Sequence, residues 1–599
     1  MHKLDKTTIL KQISSYPVVL FTLIISFILT DAFNRLNIFQ MDRSIFLLNT
    51  FIYIAIFGIF YFFSNRVKFS CIGTITTCVL FGLINHYIYL FRGRPLLMID
   101  IASFRTAFNV AQNYSFRPDL RSIIILGCAI IVCIIVYKLP IENTLLPIKR
   151  IYQSLLSAIA VFLIYALFFL SGKLESWGIN LYYCGLQDTY LIYGSALSFA
   201  YSANDLSVKS PEGYSLEKVA EITSAYKSDS TDVATEVPNI IVIVDEAFSD
   251  LGAIGNLPVT EDYLPFFHSL SENTVRGTLH TSIFGGNTAN TEFEFLTGNT
   301  LAFQPRESVT FQTIYNEIPS FVDNMKENGY SGCDAYHPYA RSGWNRPIAY
   351  ANLGFRNFYS IESFPNAEYL RNYVSDHALF SHIQNVYEAT KKEDDSPFFL
   401  YTMTMQNHGG YSEKETNLKE TIQITDSELN IPEAVQYLNL MKETDQALSE
   451  LIKYFENTND PTVIVFFGDH QPGLSDSFYK ELLGSDEYLP KYQVPFLIWA
   501  NYELPKVNYD DISVNYLSSV LLELTGNKMT GYQKYLADLQ KTLPVITANG
   551  YYDKSGKHYE IDDTTSPYYK LIQEYRILQY NNMYDLKYRE DSFFFLGSK

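Results

Sequence analysis

Thr288 stands directly behind Gly285-Gly286-Asn287, in the stretch T-S-I-F-G-G-N-T-A-N-T-E-F-E-F-L-T-G-N-T that spans residues 281–300. Two glycines let a backbone approach a substrate with no Cβ in the way, and a helix can begin at Ala289. A hydroxyl there lies near a helix N-terminus, where N–H groups and the dipole favour an anion such as a phosphoryl group. Taken alone, the stretch is equally an ordinary Gly-Asn turn capped by threonine. Two other stretches favour chemistry. N-I-I-V-I-V-D-E (239–246) and T-V-I-V-F-F-G-D-H (462–470) are short apolar runs, read as buried parallel strands. Each ends in ligand-type residues, Asp245 and Glu246 in the first, Asp469 and His470 in the second. A third run, 398–405, leads to His408. Ligands bind at the carboxyl ends of strands in open α/β sheets. Carboxylates and imidazole converging there suit a divalent ion such as Mn²⁺ or Zn²⁺, which would lower the pKa of a neighbouring hydroxyl and stabilise a transferring phosphoryl group. Each residue also has a plain structural use as a cap or turn residue; what points to a metallo-enzyme acting on phosphate or sulfate esters is two buried strands that both end in ligands.

These groups need a frame, and the apolar pattern supplies it. Strands at 239–245, 398–405, 462–468 and 494–500 alternate with helical stretches such as 433–454, which predicts a doubly wound α/β domain over 237–599, with a packed tail helix at 567–582. Residues 173–236 read as a connector: 178–201 is Tyr- and Leu-rich and suits a membrane surface, a helix is expected near 215–226, and a polar linker follows. Ala200-Tyr201-Ser202 is where a signal peptidase would cut if the outer domain were released. Before residue 172 lie five apolar runs of spanning length, about 16–33, 44–64, 69–90, 122–139 and 152–171. Residues 1–172 hold 15 Lys/Arg and 6 Asp/Glu and the rest hold 30 and 58, for a net charge of −19 over 599 residues. Such an acidic outer region argues against nucleic acid as a partner. Lys3, Lys6, Lys11, Arg66, Lys68, Lys138, Lys149 and Arg150 mark the cytoplasmic side, so an odd number of spans places the α/β domain outside the cell membrane. The loop 91–121 carries five arginines on the external side, which fits either contact with lipid phosphates or a solvated or re-entrant loop. Of six cysteines, Cys184 and Cys333 lie in polar parts; a disulfide between them has no support from spacing. Oligomeric state is not legible.

The segments G-G-N-T-A-N-T-E-F-E, V-D-E-A-F, S-G-W-N-R and F-G-D-H-Q-P carry a resemblance. With five spans, a connector and an outer α/β domain, the chain resembles the lipoteichoic acid synthase family of membrane phosphoglycerol transferases, within the sulfatase/alkaline-phosphatase-like superfamily. The resemblance implies Thr288 as nucleophile, and Glu246, Thr288, Asp469 and His470 holding one Mn²⁺, with Mg²⁺ or Zn²⁺ as alternatives. It implies Trp344, Arg346 and His408 as contacts to the phosphoglycerol head group: the arginine offers a planar fork to phosphate and the tryptophan a face to glycerol. Asp245 departs from the family, which is generally not acidic at that position. Strand neighbours point to opposite faces, so only one of Asp245 and Glu246 is expected to reach the metal, and Glu246 is the choice.

The implied reaction has two steps. Thr288 takes glycerophosphate from phosphatidylglycerol in the membrane, releasing diacylglycerol, and an acceptor hydroxyl on a cell-envelope glycan or polyglycerophosphate chain then takes it from the threonine. Transfer of phosphoethanolamine is the alternative within enzymes. No Cys-x-Pro-x-Arg or Ser-x-Pro-x-Arg segment exists to make a sulfatase's formylglycine. From another class, a membrane-anchored binding protein that kept the fold without turnover remains an alternative.

Overall fold

The computed structural model describes residues 6–34, 38, 41–92, 95–101, 119–141, 190, 192–203, 208–228 and 237–597, apart from 306–307, 413–415, 486–487 and 508, together with four positions between 155 and 162. The chain divides into two compact units, one built from Met1–Ala102 and Ser115–Ser207, the other mainly from Val208–Lys599.

The first unit contains, among the described residues, four helices long and apolar enough to cross a membrane: Ser15–Ala32 within Lys6–Ala32, Arg43–Ser64, Val67–Tyr89 within Val67–Arg92, and Leu120–Lys138. Leu120–Lys138 leaves Ile123, Ile124, Ile130, Ile131, Ile134 and Ile135 exposed, which suits hydrocarbon and not water. The expected fifth span, about 152–171, and most of the arginine loop fall outside the described residues. A short helix, Ser195–Tyr201, is pinned within this unit: the Ser195 amide donates to Asp31 Oδ1 (2.9 Å) and the Leu197 amide to Asn49 Oδ1 (3.1 Å). Tyr201 and Ser202 are buried here, so the expected cleavage point is not presented to a protease in this fold.

The second unit is a three-layer α/β domain. Its strands are β1 (Asn239–Asp245), β2 (Thr274–His280), β3 (Ser331–Tyr336), β4 (Phe358–Tyr359), β5 (Tyr369–Leu370), β6 (Tyr373–Val374), β7 (Phe398–Met403), β8 (Thr462–Gly468), β9 (Gln493–Ala500), β10 (Tyr509–Ser513), β11 (Val545–Thr547), β12 (Gly550–Tyr552) and β13 (His558–Tyr559). Eight of them form one sheet in the order β10-β2-β9-β8-β1-β7-β3-β4; β5-β6 and β11-β12-β13 are small separate sheets. The large sheet is mixed, not uniformly parallel: β9 runs antiparallel to both β8 and β2. The cause lies in the connection. After β8 the chain stays at the carboxyl end of the sheet, where the helix Asp476–Leu483 meets the loop after β1 (Asn256 amide to Leu482 carbonyl, 3.3 Å), so β9 enters from that end.

β1 is the spine. Ile240 to Val244 are all fully buried, each contributing about 1.5–3 kcal/mol of burial, and β1 pairs in parallel with β7 on one side and β8 on the other. Alternation divides its side chains: Ile240, Val242 and Val244 enter one core with the helices Ala289–Thr297 and Val514–Thr525, and Ile241 and Ile243 the other with Asp376–Glu393 and Pro432–Glu456. Cys333 is a free, buried thiol in β3; Cys184 lies outside the described residues.

The loop that follows β1 is clamped by His268. Its Nε2 reaches Asp250 Oδ2 (3.0 Å) and its Nδ1 reaches Asp262 Oδ2 (2.9 Å), and hydrogen bonds to Asp250 first and Asp262 next raise it to about 9. Since the folded value lies above the ordinary 6.5, the clamp's stability is fully present below pH 6.5 and lost as pH rises through about 9. Thermal unfolding of the full chain will therefore show a fall in Tm between these pH values that His268→Gln lacks; identical pH profiles would refute the clamp.

Candidate active site

Five strands running in one direction deliver the site. Glu246 follows β1, Asp469 and His470 follow β8, His337 follows β3 and His408 lies on the loop after β7; the loop after β2 leads to Thr288. β1 and β8 end level with one another, Asp245 opposite Gly468. Gly468 is needed there, since a Cβ would come within 1.9 Å of the Phe248 carbonyl oxygen. Across the site, Gly285 (φ 65°) donates its amide to the Gln471 carbonyl (3.2 Å) and packs against Gly473, which sets the glycine loop against the β8 loop.

Thr288 begins the helix Ala289–Thr297, but its hydroxyl does not cap it. Instead Oγ1 donates to Glu246 Oε2 at 3.2 Å, with both residues at least 95 % buried. Glu246, Asp469 and His470 each bring one ligand atom within 4.8 Å of the others. Asp469 Oδ1 accepts from the Ala247 amide (2.7 Å), while its Oδ2 lies 3.2 Å from His470 Nε2, and Glu246 Oε1 lies 3.7 Å from the same nitrogen. His470 Nδ1 sits 2.8 Å from the Gln471 carbonyl, which can only accept, so Nδ1 carries a proton and Nε2 is the ring atom turned toward the carboxylates. Asp469 Oδ2 and His470 Nε2 are both buried without a hydrogen bond. Two facing ligand atoms, buried and without a hydrogen-bond partner, are what a divalent cation would satisfy. Burial first and the charge of Asp469 next push the Glu246 carboxyl well above its usual range, a cost that a cation would remove. The donor set therefore fits a metal ion, with Thr288 Oγ1 beside it.

Asp245 points the other way. Its Oδ1 accepts from Asn407 Nδ2 (2.9 Å), and burial followed by the charge of Asp376 drives its carboxyl well up. The parity of β1 sends Glu246 to the face of Thr288 and Asp245 to the face of the helix Asp376–Glu393, as the alternation predicts.

Arg346 is placed differently from an open phosphate fork. It is 2 % exposed, and its Nε (3.1 Å) and Nη2 (2.6 Å) both donate to Glu292 Oε1. Glu292, one turn after Thr288, also accepts from the hydroxyls of Tyr350 and Tyr401 (3.3 Å for the latter). Nη1 donates to nothing among the described residues, and the cation is near enough to draw down the Glu246 carboxyl. Trp344 is half-buried against the core, with left-handed φ at Trp344 (52°) and Asn345 (60°). Ala247 (52°) and Asn287 (66°), beside Glu246 and Thr288, share that conformation, so non-glycine strain gathers around the site. His408 is half-buried, 3.3 Å from the Tyr373 hydroxyl, and burial pushes it down to about 4, so its ring is neutral. His337 Nδ1 donates to the Met403 carbonyl (3.0 Å), and burial followed by the Arg346 charge holds the ring well below its ordinary value.

Sequence reasoning missed Glu292 as the partner of Arg346 and missed His337 and Asp376 altogether. Glu292 had a signal: it lies four residues from Thr288, on the same helix face. His337 and Asp376 had none, because only the sheet order brings them near.

Residues 238–527 match the family model described as Sulfatase. Over those residues, just under half of the chain, the protein is similar to the Sulfatase family. Among curated relatives, it is 31 % identical over 424 residues to a "Putative cyclic beta-1,2-glucan modification protein" of Rhizobium meliloti (strain 1021), covering 68 % of this chain and 64 % of the relative. Two further relatives are covered to 52 % and 45 %, so the match spans about half to two-thirds of each relative's length. Among solved structures, the Streptococcus pyogenes phosphoglycerol transferase GacH in complex with sn-glycerol-1-phosphate is 24 % identical with a TM-score of 0.53, covering 65 % of this chain and 100 % of that one. The lipooligosaccharide phosphoethanolamine transferase A of Neisseria meningitidis, an integral membrane protein, is 14 % identical with a TM-score of 0.53, covering 85 % and 95 %. At these identities the likeness to solved structures is one of fold. The chain thus has the expected sulfatase-like α/β domain after apolar N-terminal helices, four of them among the described residues.

Two measurements follow. Mn²⁺ added to the metal-stripped full chain will raise its Tm, and Asp469→Asn will abolish that rise; equal shifts in both proteins would exclude the site. Glu292→Ala strands the Arg346 guanidinium in the core and will cost about 3–5 kcal/mol of stability in denaturant unfolding, whereas a loss below about 1 kcal/mol would show the pair to be solvated.

Proposed function

We propose that this protein is a membrane-anchored transferase that moves glycerophosphate from phosphatidylglycerol, through a phosphothreonine at Thr288, to a hydroxyl on an extracytoplasmic cell-envelope glycan. The observation that carries the reading is the Thr288 hydroxyl donating to Glu246 beside the orphaned ligand atoms of Asp469 and His470. A hydroxyl next to a metal site and at the start of a helix is the arrangement that phosphoryl transfer needs, because most of the catalysis is positioning and charge stabilisation.

Glu246, Asp469 and His470 would hold Mn²⁺ or a similar ion, which when bound supplies positive charge against the phosphoryl oxygens and acidifies a neighbouring hydroxyl. In the first step Thr288 Oγ1 attacks phosphorus and gives its proton toward Glu246 Oε2, the atom to which it already donates. The P–O bond to diacylglycerol breaks, and the departing oxygen takes up that proton. In the second step an acceptor hydroxyl attacks the same phosphorus, and Thr288 Oγ1 regains a proton as it leaves. Arg346 offers Nη1 to a phosphoryl oxygen, its other edge being locked on Glu292. His408, being neutral, suits a hydrogen bond to a glycerol hydroxyl better than full proton donation. Trp344 offers a ring face to the glycerol carbons.

The likeness to a glucan modification protein supports a sugar hydroxyl over a polyglycerophosphate end as acceptor. Glycerophosphate is favoured over phosphoethanolamine by the Trp344-Asn345-Arg346 triplet. The helices of the first unit fit a lipid donor that does not leave the bilayer.

In the test, the detergent-solubilised full chain with Mn²⁺ is given phosphatidylglycerol carrying a fluorescent acyl chain. Metal-dependent release of fluorescent diacylglycerol is expected, falling about 10³-fold or more in Thr288→Ala. Glycerophosphate on the Thr288 peptide should be visible by mass spectrometry. Release from phosphatidylethanolamine alone would move the donor to ethanolamine phosphate, and release undiminished in Thr288→Ala would refute the nucleophile.

A further inference from the structure

A cavity of about 540 Å³ opens on the domain surface between the helix Arg346–Asn352 and the segment Phe355–Ser363. Arg341 and Arg356, both exposed, line it, and neither makes an ion pair among the described residues. In a chain of net charge −19, a lining with two guanidinium groups against the single carboxylate of Glu362 is net positive. Arg341 is fixed in place: Nη1 donates to the Phe358 carbonyl (2.7 Å) and the cation lies 5.3 Å from the centre of the Phe358 ring. That leaves the rest of its planar donor set for an anion.

The remaining lining is of the kind that holds sugars. The half-buried Tyr359 ring is stacked on Tyr336 (4.7 Å between centroids, 15° between planes), which holds it rigid. Asn357 donates to Asp334 Oδ1 (3.0 Å), and Glu362, which accepts from Ser360, supplies an acceptor for sugar hydroxyls. Stiff aromatic surface mixed with a few oriented polar groups gives both contact area and hydroxyl recognition.

The cavity is joined covalently and mechanically to the transfer site. Arg341 starts the loop whose other end is Arg346, with the strained Trp344 and Asn345 between them. Tyr350 lines the cavity while its hydroxyl donates to Glu292, the carboxylate that holds Arg346.

We propose that this cavity binds an anionic oligosaccharide, the acceptor glycan already carrying phosphate esters from earlier transfers. The proposal rests on the transferase reading for the word acceptor, but binding can be measured with no donor and no turnover. Purified full chain in detergent is titrated with a glucan hexasaccharide, with the same hexasaccharide carrying phosphate esters, and with inorganic phosphate. The phosphorylated sugar is expected to bind about tenfold or more tighter than either other probe, the value of one charge-assisted contact, and the preference should shrink in 0.5 M salt. Arg356→Glu, a surface change whose folding is checked by an unaltered Tm, should remove the preference, and Arg356→Lys should keep part of it. Equal binding of neutral and phosphorylated sugar, or an undiminished preference in Arg356→Glu, would overturn the proposal. Inorganic phosphate binding as tightly as the phosphorylated sugar would overturn its oligosaccharide part. None of these outcomes bears on Thr288, which diacylglycerol release tests separately.

Discussion

The level ending of β1 and β8 is the constraint on which the site depends. Their seven-residue parallel register puts Asp245 opposite Gly468, so the residues that follow, Glu246 and Asp469, emerge side by side at the carboxyl edge. The approach is so close that the Phe248 carbonyl occupies the space of a Cβ at Gly468. A slip of one residue would send Glu246 to the opposite face and replace it with Asp245, which is held by Asn407 and faces Asp376. Fully buried aliphatic side chains on both faces of β1 make such a slip costly, and so the packing of the sheet and the placing of the ligands are one and the same problem.

Around that edge the structure carries costs that packing elsewhere must offset. Four non-glycine residues in left-handed backbone, two facing ligand atoms without a hydrogen bond, and the fully buried Arg346–Glu292 pair all lie at or near Thr288. A buried ion pair is weak evidence for stability, since desolvation cancels much of the attraction. It is better understood here as a positioning device: Glu292 is on the nucleophile's own helix, so the arginine's remaining nitrogen is fixed relative to Thr288 without any reorganisation. Tyr350 and Tyr401 complete the cage round Glu292 and tie it to β7 and to the helix that walls the surface cavity.

Two solvents are written into the chain. The N-terminal helices leave isoleucine-rich faces uncovered, while the second unit closes two apolar cores over a sheet and carries the excess of acid. Within the proposed reaction, this division matches a donor that stays in the bilayer and an acceptor that does not.

Sequence by itself determined the local features. Apolar runs of length 18 or more marked the membrane helices, short apolar runs marked β1, β7, β8 and β9, and the Gly-Gly-Asn-Thr turn marked the start of a helix, because each is set by near neighbours and by a simple period. Strand parity even separated Glu246 from Asp245. What depended on pairing across distance was not legible. The antiparallel course of β9 follows from a loop held at the carboxyl edge, the capture of Arg346 by Glu292 joins residues 54 apart, and the burial that keeps His408 and His337 neutral depends on everything packed around them. A sequence shows which residues are able to ligate, attack or pair, but which of them meet, and in what state of charge, is decided by the free energy of packing and desolvation summed over the whole sheet.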